Sequence, residues 1–154
     1  MAKAAIRLQK GDTAEASAIY SSILQKWADF PPAQKRLASI YANEPANAGK
    51  AYELATKARR SLVDDPGLMK TLGILSFQRK EYARAVQFLQ ESEVKRALDG
   101  KSLFMLGMAH LQLGHKTEAK KILDRALAAG IPDDLAKQAK DAIVELDKAA
   151  DQRR

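Results

Sequence analysis

Apolar positions return along this chain in a fixed phase. Ala16, Ala51, Ala85 and Ala119 are separated by 35, 34 and 34 residues. The residues 4 and 7 places beyond each are Tyr20 and Ile23, Ala55 and Ala58, Leu89 and Ser92, Leu123 and Ala126. Steps of 4 and 7 stay on one face of an α-helix, so each set predicts the buried stripe of one helix. Counting 21 residues on from the first three alanines gives Leu37, Leu72 and Leu106, each followed by a small residue of a first helix, Ala38, Gly73 or Gly107, where two backbones can approach closely. Between these stripes the polar and turn-forming residues divide the chain into nine predicted helices, at about 2–10, 13–26, 32–43, 48–63, 67–79, 82–96, 101–113, 116–129 and 133–148. Asp12 with Glu15 three residues later has the form of a capping box. Gly100, Gly114 and Gly130 fit helix ends, and Pro32, Pro66 and Pro132 fit helix starts. The one extra residue of the first interval falls in 43–49, whose turn chemistry predicts a longer loop and an undisturbed stack.

A period near 34 residues marks stacked helical hairpins. Leu106-Gly107, Gly114, Ala119, Leu123 and Ala126 form the clearest copy, and Leu72-Gly73, Phe77, Tyr82, Ala85 and Leu89 a second. On these residues the chain resembles the tetratricopeptide repeat family over residues 3 to 132, although the aromatic slot of the first helix holds Tyr41 in one copy and Ser76 and His110 in others. The resemblance implies an all-α, right-handed superhelical stack of antiparallel helix pairs. Its repeats would lie near 1–30, 31–65, 66–99 and 100–132, with a capping helix at 133–148 and a tail at 149–154. Leu135, Ala139, Ala142, Ile143 and Leu146 give that last helix one apolar stripe, with Lys137, Lys140, Asp141 and Lys148 left to water. The leucine slot of the first repeat falls on Lys3, which predicts a chain that starts partway along a longer array and associates weakly with itself through an open apolar face around Ala5, Leu8, Ile19 and Ile23.

The resemblance also implies a function: a non-catalytic protein–protein interaction scaffold whose first helices line a concave groove. The groove candidates are Lys35, Ser39 and Ala42, then Lys70, Ile74, Phe77 and Gln78, then Lys101, Phe104, Met108, Leu111 and Gln112. Apolar residues flanked by lysines suit an amphipathic helix or peptide that carries acidic residues. The alternative is that Phe77 and Leu111 pack between adjacent first helices. One branch of the family holds chaperone C-termini in a lysine and asparagine clamp; here Ser39 follows Lys35, Ile74 follows Lys70 and Met105 follows Lys101 at the clamp spacing, which argues against that ligand. The stretches Thr71-Leu72-Gly73 and Leu106-Gly107-Met108-Ala109 ahead of a short cap are similar to the closing repeats of bacterial arrays, and imply a bacterial source and a place in a larger assembly or export protein.

Charge adds one alternative. The net charge is +7, which suits a basic helical-repeat module binding nucleic acid. The charge is spread evenly, however, with 11 basic and 7 acidic residues in 1–77 and 15 and 12 in 78–154. Lys57, Arg59, Arg60, Lys120, Lys121 and Arg125 are assigned to second helices among interleaved acids, which favours solvated faces over a nucleic-acid footprint. The absence of cysteine excludes disulfides and thiolate chemistry. No run approaches a membrane span, no secretory h-region opens the chain, and the compartment stays open. No enzymatic constellation is visible: the glycines form no phosphate-binding loop, and Asp64-Asp65 and Asp133-Asp134 read as helix-terminus charges. His110 and His115, five apart, are expected on different helical faces, so no metal or cofactor is predicted.

Overall fold

The computed structural model describes residues 1–151, with side chains through Ala149; residues 152–154 of the expected tail lie outside the described residues. Among the described residues are nine α-helices: α1 (Ala2–Gln9), α2 (Thr13–Lys26), α3 (Pro31–Tyr41), α4 (Ala48–Arg59), α5 (Pro66–Gln78), α6 (Tyr82–Lys95), α7 (Gly100–Gln112), α8 (Lys116–Ala128) and α9 (Asp133–Asp151). A 3-10 turn, Pro45–Asn47, takes up the stretch expected to hold the extra residue. The fold is an all-α helical-repeat solenoid. The four phasing alanines are all fully buried, as are Ala4 and Ala38 at the small-residue stations. α4 stops short of the expected end. Its last turn tightens into i to i−3 bonds, Arg60 N–H to Lys57 O and Ser61 N–H to Ala58 O, both at 3.2 Å.

Two compact units divide the chain, one of residues 1–75 and one from Ser76 onward, with the break inside α5. In the first unit α1 packs on α2, α2 on α3 and α3 on α4. Their shared core is Ala4, Ala16, Tyr20, Ala33, Leu37 and Ile40. In the second unit α7 packs on α6, α8 and α9, and α9 also packs on α8. Ala139 and Leu146 are the buried members of the α9 stripe. Gly107 shows why the stack needs small residues: a Cβ there would meet Leu123 Cγ and Cδ2 at 2.8 Å and its backbone nitrogen at 3.2 Å. Gly100 corrects one expectation, because it opens α7 and ends no helix. A Cβ on it would strike Gly130 O at 2.7 Å.

One turn recurs. Gly11, Lys80 and Gly114 have φ of 81°, 61° and 77°, the left-handed region. After each, an N–H returns to the carbonyl five residues earlier at 2.9 Å: Asp12 to Arg7, Glu81 to Ser76 and His115 to His110. A left-handed residue followed by such a bond reverses the chain between two helices. The turn also displaces the expected capping box, since Asp12 makes no side-chain cap bond to α2. Its carboxylate faces Arg7 Nη1 at 3.5 Å, and Glu15 meets Arg7 Nε at 3.0 Å.

Candidate protein-binding surface

Unit one changes the status of several groove candidates. Lys35 is held at 2.6 Å by Asp65, whose other oxygen accepts the Leu68 N–H at 2.8 Å and so caps α5. Burial pushes the Asp65 carboxyl up, but the Lys35 ammonium and the Leu68 and Gly67 N–H groups outweigh it and hold the group below its usual range. Lys35 is therefore a structural cation that joins α3 to the start of α5. Ala42 is buried, which removes it from the surface. Ser39 is exposed and lines a hollow of about 380 Å³ with Arg36, Asn43 and Glu44 on its polar side. Lys70 and Ile74 are half-buried. A more apolar hollow of this unit lies elsewhere, about 430 Å³ between Met1, Ile23, Trp27, Asp29 and Phe30, with Trp27 63% exposed.

In unit two Phe77 is half-buried and stacks edge-on against Tyr82, with centroids 5.8 Å apart. Gln78, Lys101 and Gln112 are exposed. Phe104 corrects the expectation of a surface anchor, because it is only 5% exposed, in a helix packed on α6, α8 and α9. Met108 and Leu111 are half-buried and share a helical face. Leu111 enters a hollow of about 420 Å³ with Lys116, Asp141, Ala142, Glu145, Leu146 and Ala149. The hollow needs α9, so α7 alone could not have revealed it. Two of the basic residues weighed for nucleic acid are neutralised within this unit, Lys120 by Asp147 and Arg125 by Glu93.

A contact missed by spacing lies at the α7–α8 turn. His110 Nδ1 and His115 Nδ1 stand 3.2 Å apart. Helical periodicity separates residues five apart, but Gly114 reverses the chain between these two. Burial pushes the His110 imidazole below its ordinary pKa, the His115 ring adds to that, and the Glu118 carboxylate opposes both.

Residues 100–129, α7 and α8 with the glycine turn between them, match the sequence model of the tetratricopeptide repeat. That hairpin is a tetratricopeptide repeat. No curated protein matches the chain's sequence. Its fold is similar to that of MamA MSR-1, at a TM-score of 0.74 and 20% identity over 96% of this chain and 83% of that one. It is also similar to a thermophilic tetratricopeptide repeat protein of Thermus thermophilus, at 0.62 and 16% over 92% and 78%. A third likeness is to a tetratricopeptide repeat protein from Parabacteroides merdae, at 0.67 and 15% over 97% and 59%. Among the described residues no helix is long and apolar enough to cross a membrane.

Proposed function

We propose that this chain is a scaffold that docks a segment of another protein, and that the hollow between α7 and α9 takes the segment's apolar anchor. The fold supports a protein–protein interaction module, and the single observation that carries the finer reading is the 420 Å³ hollow floored by Leu111, Ala142, Leu146 and Ala149. Its charged rim suits a two-signed ligand. An acidic residue of the segment would face Lys116, and a basic one would face Asp141 and Glu145. Panning a displayed random-peptide library on the folded chain is the test. Recovered sequences should share an apolar residue with a basic neighbour, and Leu111→Ala should weaken them by about 1–2 kcal/mol with the helical spectrum unchanged. A library that yields no consensus, or one that Leu111→Ala leaves untouched, removes the hollow from the function.

A second reading rests on the apolar hollow at Trp27, Phe30 and Met1: weak association between copies of the chain. Sedimentation at rising concentration should show it, with Trp27→Ser abolishing the effect.

A further inference from the structure

We propose that His110 and His115 form a two-imidazole site for a late divalent transition ion such as zinc(II). Their Nδ1 atoms face each other at 3.2 Å, with ring centroids 5.4 Å apart and planes inclined at 51°. With one proton between them the pair makes an N–H···N bond. A divalent ion in the proton's place would accept both lone pairs at once. Imidazole–zinc bonds run about 2.0–2.1 Å, so nitrogens at this separation subtend about 100° at the metal, near the tetrahedral angle.

The two rings are brought together by the backbone. The same left-handed turn sets Arg7 against Asp12 at 3.5 Å in the first helix pair. His110 is 5% exposed, so its ring is held in place, while His115 is exposed and leaves the site open to solvent. Coordination through Nδ1 requires the hydrogen on Nε2. His110 Nε2 lies 3.4 Å from the Gln90 amide nitrogen, and a half-turn of that amide presents its oxygen as the acceptor. Imidazole ligands are commonly oriented by such an outer contact. The Glu118 carboxylate, in the first turn of α8, adds negative charge that favours a cation. Among the described residues no group of three or more His, Cys, Asp or Glu is placed to hold a metal, so the two imidazoles are the protein's ligands and water would complete the coordination. An ion held there would tie the end of α7 to the start of α8.

Calorimetric titration with zinc chloride, on the full chain without a polyhistidine tag, tests the site at about pH 7.5, where free imidazole is largely neutral. The expected result is one ion per chain, an imidazole nitrogen shift on both histidines, and affinity at least about tenfold lower in His115→Ala and in Gln90→Leu. His115 is exposed, so its removal leaves the fold intact, and the variant's circular dichroism serves as the control. Equal zinc affinity in wild type and His115→Ala, or no saturable binding by the wild type, overturns the proposal.

Discussion

α1 and α7 hold the same place in their repeats, yet only α7 is a core helix. Nine of the thirteen residues of α7 are buried, whereas α1 buries Ala4 and leaves Ile6 half exposed to water. The two stations align: Ala4 sits where Gly107 does, and Lys3 where Leu106 does. The difference lies in their neighbours and in what each station can bury. α7 packs on α6, α8 and α9, and its Phe104 and Met105 are buried as well. A repeat phase therefore says which residue faces the partner helix. How many sides of a helix are covered depends on the layers around it.

The largest effect that tests this contrast is a truncation at the leucine station. Leu106→Ala removes a fully buried side chain and should cost about 2–5 kcal/mol in urea unfolding, while Lys3→Ala at the matching exposed position should stay within about 0.5 kcal/mol. Similar losses from the two would erase the distinction between the helices. A smaller effect concerns the turns. Gly11 and Gly114 adopt left-handed backbone without strain, but Lys80 does so with a Cβ. Lys80→Gly should therefore stabilise the chain by about 1 kcal/mol, and Gly114→Ala should destabilise it by a similar amount. No change in either would show that the turns are not strained alike.

The smallest expected effect separates the units by pH. His110 binds its proton less readily folded than unfolded, because burial and the His115 ring disfavour the cation. The unfolded chain then takes up more protons as pH falls past the free imidazole value near 6.5. Stability from this group is complete above that value and declines below it. Hydrogen exchange across about pH 7.5 to 5.5, corrected for intrinsic rates, should show α7 and α8 losing protection, with the slope gone in His110→Gln. The first unit contains no histidine, so the relative protection of α2 and α3 should hold. An equal decline in both units would assign the effect to the whole chain and not to the histidine pair.

Asp12 and Glu15 show how far local spacing reaches. Their separation promised a capping box, but the recurring turn places Arg7 beside both carboxylates, and an ion-pair cluster replaces the cap. His110 and His115 fail as a spacing argument for the same reason, since the left-handed Gly114 lies between them.

By itself the amino-acid sequence determined the helices, their phase, the buried alanines and the small stations at Ala38 and Gly107, because helical periodicity is carried by residues a few places apart. Tertiary structure decided which first-helix faces remain open. It buried Ala42 and Phe104, engaged Lys35 with Asp65 and built the Leu111 hollow from α7 and α9. Those outcomes depend on side chains roughly thirty places apart and on a third layer of helix, and no pattern within one helix encodes them.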